Sequence, residues 1–469
     1  MMKFRYVLGS IILFVLIWAI YQYIPISEDG MKMMGLLGLI QMVYSIGCWS
    51  GLTASMLTPY TVFLFSAYIF TFGQSFLFIF DKVTPDRDLT ELFLPSALIP
   101  AQYLTLVFLN FFNIGAILSV KKTRRSYLIP EQMLKNEHAT ERQVKGIRTV
   151  GKVFLAISIV PYIIERIKLF FIVSTLGYSG IYMQEAKVGI FNILNILSQY
   201  FIPGVLCLLL VETVRTRRNI WILILVAEAC FWLFTGGRSN GVIIVSILLL
   251  YYHICVKPIE FKRAILIGVV SFFFVSLLGV VSETRRDVNA DISQTLKEGF
   301  GNSNAFFDAL SEMGSSMYPM VATMEVVPQS QGFRNGSTYL YAASSIIPNL
   351  GFWDLHPAMK NANMNQWLQD VMHLNYGPGY SIVAEAYINF GSFGFIIMII
   401  LGYCFGRILT VVVNDKSNPL LLVLSFVFCF LIIKTVRNSF LATVRSVVYY
   451  ILPIYIYVRY FVNGRIVKK

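Results

Sequence analysis

The chain has 469 residues, of which 57% are hydrophobic and only 13% charged, with a mean hydropathy of +0.67 and a formal charge of +13. A soluble domain of this length needs more charge than that to cover its surface, so the composition excludes one and describes a polytopic membrane protein. The positive balance does not indicate nucleic acid, because Lys121 to Lys152, Arg215 to Arg218, Lys257 to Arg263 and Arg465 to Lys469 all flank apolar runs, as cytoplasmic connectors do.

In chain order, apolar windows of spanning length fall near residues 6–24, 33–52, 59–80, 97–120, 150–174, 188–212, 219–235, 241–256 and 264–282, and again at 392–413, 420–436 and 446–462. About twelve transmembrane helices are expected, and the fold class is an all-α polytopic membrane protein. Lys3 and Arg5 precede the first run as they would in a signal peptide, but the run to Ile24 is too long and has no small-x-small cleavage site, so it is read as the first span. With that end inside and the spans alternating, the basic clusters fall inside, Asp81, Asp86, Asp88 and Glu91 fall outside, and both termini are cytoplasmic. The six cysteines all lie in apolar segments and read as small core residues, with no disulfide framework or zinc site.

The run of spans divides the chain into residues 1–282, a polar insertion at 283–379, and 380–469. The insertion carries five Lys/Arg against nine Asp/Glu and maps to one large extracytoplasmic loop. A structureless connection of that length is improbable in a compact protein, so it is expected to contain short helices and to be functional. Phe306, Leu310, Met313, Met317 and Met324 recur at helical spacing, with Pro319 dividing them, and Tyr339 to Ile347 reads as a second short helix. Its aromatics, among them Phe333, Tyr339, Tyr341, Phe352, Trp353, Trp367 and Tyr376, suit the apolar faces of sugar rings and equally suit a membrane interface. Asp354, His356 and His373 are available as proton acceptors.

After the turn Gly377-Pro378-Gly379, the segment Tyr380 to Gly391 is expected to form a partly inserted helix leading into the tenth span. Ser381, Glu385, Asn389 and Ser392 fall on one face of it. A carboxylate at membrane depth must face a wet cleft or a partner, which makes Glu385 a site residue. The orientation rule is also broken by a group of outward-mapping cations: Arg166 and Lys168 in the fifth span, Arg238 in the turn Thr235-Gly236-Gly237-Arg238-Ser239-Asn240-Gly241, Arg285 and Arg286, and Lys434, Arg437 and Arg445 around the last outer turn. Something anionic should reward them, and glycine amides beside a guanidinium suit a phosphate. Glu228, buried in the seventh span, is a further ionisable residue with a basic partner to be found. Gly146 to Val153 lacks the Ser/Thr that ends a phosphate-binding loop and opens a membrane helix, and Glu28-Asp29 is read as an ordinary acidic pair, so neither a nucleotide nor a metal is expected.

A many-span chain with one large outer segment, ending in Gly379-Tyr380-Ser381-x-x-x-Glu385-x-Tyr387-x-Asn389-Phe390-Gly391 and carrying Gly237-Arg238-Ser239 after an earlier span, resembles the Wzy-type polymerases of O-antigen and capsular repeat units. The resemblance implies a membrane glycosyltransferase of the bacterial cytoplasmic membrane, acting at its outer face. Its substrate would be an undecaprenyl-diphosphate-linked oligosaccharide, and it would need no cofactor. A chain-length regulator and a flippase of the same pathway would be its partners, besides the membrane lipids. A ligase of finished glycans and a flippase for the same lipid-linked units are the rival readings. From the charges we expect Arg238, with Arg166, Lys168, Lys434 or Arg437, to hold the diphosphate. Glu385, or secondly His356, would take the acceptor hydroxyl's proton, with Tyr380, Ser381, Asn389 and Trp353 lining the substrate site and inversion at the anomeric carbon.

Overall fold

The computed structural model describes residues 2–53, 55–82, 88–120, 137–176, 190–235, 238–260, 305–347, 353–374, 376–410 and 418–462, together with 262, 263, 266 and 268. Among them there is no strand. The first series of helices is α1 Met2–Tyr21, α2 Glu28–Thr53, α3 Pro59–Phe78, α4 Pro95–Ser119, α5 Glu137–Leu176, α6 Ile190–Ser198, α7 Phe201–Val211, α8 Arg215–Phe234 and α9 Arg238–Tyr251. Short helices follow: α10 Ala305–Gly314, α11 Tyr318–Val326, α12 Ser337–Ser344, α13 Pro357–Asn361 and α14 Met364–Val371. The chain closes with α15 Ile382–Phe390, α16 Phe395–Ile408, α17 Pro419–Ile432, α18 Phe440–Ser446 and α19 Leu452–Ile456.

Among the described residues, nine helical stretches are long and apolar enough to cross a membrane, and each covers an expected span. Two further expected spans are helical, in α5 and α8, but Arg166, Lys168, Arg217, Arg218 and Glu228 interrupt their apolar runs. The ninth expected span, 264–282, and the first part of the insertion, including Arg285 and Arg286, lie outside the described residues. The chain resolves into two compact units. One comprises Met1–Ile129, Phe307–Val412 and Leu431–Val447, the other Pro130–Phe306, Val413–Phe430 and Val448–Lys469.

In the first unit α4 and α16 lie side by side at close range. A methyl group on Gly115 would overlap the Ile399 carbonyl and one on Gly402 the Phe112 carbonyl, while Gly406 faces Ala116. Gly402-x-x-x-Gly406 is thus a small-residue seam of the kind that lets membrane helices approach. Buried amides tie the neighbouring helices: Gln41 Nε2 donates to the Tyr68 hydroxyl and to the Leu106 carbonyl, both at 2.8 Å, and Asn110 Nδ2 donates to the Ser10 carbonyl at 2.9 Å. Each such bond is worth about 0.6 to 2 kcal/mol in a bilayer.

The polar insertion packs onto this bundle. Gly73 of α3 and Gly314 of α10 meet backbone to backbone, and Gln74 Nε2 donates to the Ser311 carbonyl at 3.1 Å. The helical periodicity expected around Phe306 to Met324 is realised as α10 and α11, joined by a 3₁₀ turn at Ser315–Met317, and Pro319 opens α11, where its missing N–H costs nothing. The segment after Gly379 is helical, as α15, and is joined to α16 through a short 3₁₀ turn at Gly391–Gly394. Gly391 takes φ +55°, with the Phe333 ring against its α-carbon, so a side chain fits neither the backbone nor the space.

Candidate functional site

The geometry of the site begins at Gly379. With φ +75° and the Arg437 carbonyl where a β-carbon would go, it brings the Tyr380 N–H to 3.1 Å from that carbonyl. Ser381 then caps α15, its Oγ accepting from the Ala384 N–H at 3.1 Å. The Tyr380 hydroxyl lies 3.0 Å from Thr323 Oγ1, with the Trp367 ring edge-on at 6.2 Å. Burial holds the Tyr380 phenol far above its ordinary range, so it serves as a neutral hydrogen-bonding group.

One turn on, Glu385 is fully buried. Thr338 of α12 donates its hydroxyl to Oε1 at 2.8 Å, and the Phe440 N–H at the start of α18 donates to Oε2 at 2.6 Å. No Lys or Arg among the described residues forms an ion pair with it. The carboxylate thus occupies the N-terminus of α18, where Ser439 makes no side-chain cap. Asn389 completes the stripe: its Nδ2 donates to Thr338 Oγ1 at 2.7 Å and to the Glu385 carbonyl at 2.8 Å. The last carbonyls of α15 are met from outside by the Arg334 and Asn335 N–H groups, at 2.9 and 3.1 Å from the Ile388 and Asn389 oxygens. Against this cluster packs Tyr339, stacked on Phe390 at 6.2 Å and edge-on to Phe440 at 5.1 Å.

The turn held by Tyr380 and Glu385 is the one that carries the cations. Lys434 and Arg437 lie in the 3₁₀ turn Ile433–Arg437 that leads into α18, so their spacing of three places them one above the other. Lys434 is exposed and Arg437 half-buried, its guanidinium 5.4 Å over the Phe70 ring.

Other expected site residues have different surroundings. Both ring nitrogens of the buried His356 are engaged with backbone: Nδ1 accepts from the Ala358 N–H at 3.0 Å, capping α13, and Nε2 lies 2.8 Å from the Ile347 carbonyl. Trp353 packs edge-on against that imidazole at 5.1 Å. Arg166 belongs to the second unit, as do Lys168 and Arg238. Its guanidinium forks onto Glu228, with Nη2 to Oε1 at 2.8 Å and Nε to Oε2 at 3.3 Å, and Tyr162 donates to the same carboxylate. The Tyr162 and Trp232 rings cover the guanidinium at 4.6 and 4.5 Å. Its charge is thus paired inside the protein with Glu228. Lys168 is exposed on α5. Arg238 opens α9, but its side chain, with Gly236 and Gly237, lies outside the described residues.

Sequence reasoning missed Thr338 and the Phe440 N–H, the two partners of Glu385. Thr338 stands 47 residues away in sequence and Phe440 offers only its backbone. The sequence model for O-antigen polysaccharide polymerase Wzy matches residues 4–469. The chain belongs to that family. Searches among curated proteins and solved structures give no match. As a member of the Wzy family it is a membrane polysaccharide polymerase, and the stretch Tyr380 to Gly391, which carries the resemblance in the sequence, is the one that bonds the backbone at Arg437 and Phe440.

Proposed function

We propose that this polymerase joins undecaprenyl-diphosphate-linked repeat units at the outer face of the cytoplasmic membrane, with about twelve spans and both termini inside. The growing chain is transferred from its lipid diphosphate to a hydroxyl of the next unit. The acceptor oxygen attacks the anomeric carbon, the carbon–oxygen bond to phosphate breaks, the hydroxyl proton passes to water, and the lipid diphosphate departs as the anion, with inversion and without a metal. The energy is that of the donor's sugar-phosphate bond.

The observation that carries this reading is the double grip on the Lys434–Arg437 turn, by the Tyr380 N–H on the Arg437 carbonyl and by the Glu385 carboxylate on the Phe440 N–H. Lys434 and Arg437 bind the diphosphate and stabilise the charge that grows on it as it leaves. In this reading Glu385 is a positioning residue, because its carboxylate is fully buried with one oxygen held by the Thr338 hydroxyl and the other by the Phe440 N–H. His356, with both nitrogens engaged, likewise shapes the segment it caps. Ser381 and Asn389 fix α15 and Thr338 in the same way. Arg166 supports the fold through Glu228.

The test is reconstitution. Purified protein given lipid-diphosphate-linked repeat units should produce a ladder of oligomers on the carrier lipid, and the Arg437→Ala variant should do so much more slowly. A single transfer to another acceptor would identify a ligase, and movement of the lipid across vesicles without bond formation a flippase.

A further inference from the structure

Beside the cation turn is a pocket of about 130 Å³ that the proposed reaction does not use. It lies between the segment at Arg334 and the pair α13 and α14, and Arg334, Lys360, Asn361, Gln366, Trp367 and Asp370 are among the groups that line it. It is well under the roughly 300 Å³ at which ligand pockets commonly begin, so it has room for one ring of a chain and not for an oligosaccharide.

Its chemistry is that of a sugar site. Trp367 is half-buried and held by its indole N–H, which donates to Gln331 Oε1 at 3.0 Å, so the ring is fixed before any ligand arrives. The amides of Asn361 and Gln366 offer donors and acceptors around it, which suits the hydroxyls of a ring whose apolar face rests on the indole. The charges give a preference. Arg334 and Lys360 are exposed, and neither forms an ion pair among the described residues, whereas the one acid, Asp370, accepts from Gln366 Nε2 at 2.8 Å. Two cations are therefore available to a carboxylate on the ligand.

The pocket is also coupled to the proposed diphosphate site. Asn365 Nδ2 donates to Asn438 Oδ1 at 2.9 Å, one residue past Arg437, and the Trp367 ring meets the Tyr380 ring whose backbone N–H holds Arg437. We infer that this pocket is a saccharide subsite that seats one sugar of the repeat unit on Trp367 and selects an acidic sugar, a uronic acid, through Arg334 and Lys360. The inference rests on the polymerase reading above and specifies which part of the substrate the outer segment recognises.

The probes are lipid-free tetrasaccharides of glucuronic and galacturonic acid, set against neutral glucose and galactose tetrasaccharides, titrated onto the purified full chain in detergent with saturation-transfer NMR as readout. An acidic probe should bind roughly tenfold more tightly than its neutral counterpart, the effect of two exposed ion pairs together. The Arg334→Gln/Lys360→Gln variant, which alters only exposed side chains, should lose that preference, and Trp367→Leu should lose both classes. With lipid-linked substrate the double variant should raise KM and leave kcat in place. Equal binding of acidic and neutral probes, no binding of either, or a preference that survives in the double variant would each overturn the subsite. Arg437→Ala separates the two proposals: it should slow polymerisation by about tenfold or more while the acidic probe still binds, and normal polymerisation by that variant would defeat the cation turn without touching the subsite.

Discussion

Replacing Glu385 separates a carboxylate that positions from one that moves a proton. In Glu385→Ala the Phe440 N–H and the Thr338 hydroxyl both lose their acceptor in a buried place. Each orphaned group costs about 1 to 3 kcal/mol, so the variant should lose on the order of 2 to 6 kcal/mol and release the start of α18, with the Lys434–Arg437 turn before it. Glu385→Gln keeps the volume: its amide oxygen can accept from the Phe440 N–H and its amide nitrogen can donate to Thr338 Oγ1, which leaves only the Thr338 proton without an acceptor. It should therefore cost about 1 kcal/mol and retain a measurable fraction of polymerase activity, while the alanine variant retains none. The assays are thermal unfolding in detergent and ladder formation on lipid-linked substrate. A glutamine variant as stable as the parent yet as inactive as the alanine variant would refute the positioning role and return Glu385 to proton transfer.

Four further outcomes follow from the same geometry. Arg437→Ala removes one charge-assisted contact to a diphosphate, about 1.5 to 3 kcal/mol, so kcat/KM should fall by roughly ten- to 150-fold with little loss of stability, and Lys434→Ala should fall by a similar factor. Gly402→Leu forces a side chain into the Phe112 carbonyl and should destabilise the protein by about 3 kcal/mol or more, read as a lower unfolding temperature, whereas Leu at the exposed Ile400 should be neutral. Arg166→Gln leaves Glu228 without its guanidinium and should cost about 3 to 5 kcal/mol, most of which Arg166→Gln/Glu228→Gln should restore, as measured by a double-mutant cycle in detergent. A single cysteine at the exposed Ser330 or Asp354, in a cysteine-free background, should react with an impermeant thiol reagent added to intact spheroplasts, and protection until lysis would put the proposed site in the wrong compartment.

Much of the helical order was legible in the sequence because length and apolarity dictate it: a run near twenty apolar residues has few folded alternatives. The polar stripe on α15 was legible for a related reason, since Ser381, Glu385 and Asn389 recur at the helical period. What the period cannot say is what the stripe faces. Read alone, an acid in an apolar rod points to a wet cleft or a partner, and the partners here are Thr338 and the start of a helix 55 residues later in sequence, both out of reach of any local pattern. Arg166 illustrates the same limit. The sequence marked it as a cation on the wrong side and Glu228 as an acid in need of a partner, yet 62 residues separate them and only the packing of α8 on α5 joins the two.

The way the backbone around the cations is held therefore carries the functional argument further than their number does. Arg166 has its carboxylate and two aromatic faces, so its place in an apolar helix has a structural reason. The Lys434–Arg437 turn is different in kind. Gly379, Tyr380 and Glu385 fix its backbone from one side, by a left-handed turn, an amide hydrogen bond and a buried carboxylate, none of which neutralises a side chain of the turn. A fold that applies three separate devices to the backbone of a basic turn gains a rigid pair of charges, and rigidity there matters because preorganised cations stabilise a leaving diphosphate without reorganising as its charge grows. If that is the reason for the arrangement, loosening the backbone without changing any charge should also impair the reaction. Gly379→Ala does this, since it strains a φ of +75° and crowds the Arg437 carbonyl. Its kcat should fall while lipid-diphosphate affinity changes little, and a loss confined to affinity would show that the turn binds substrate without serving the transition state.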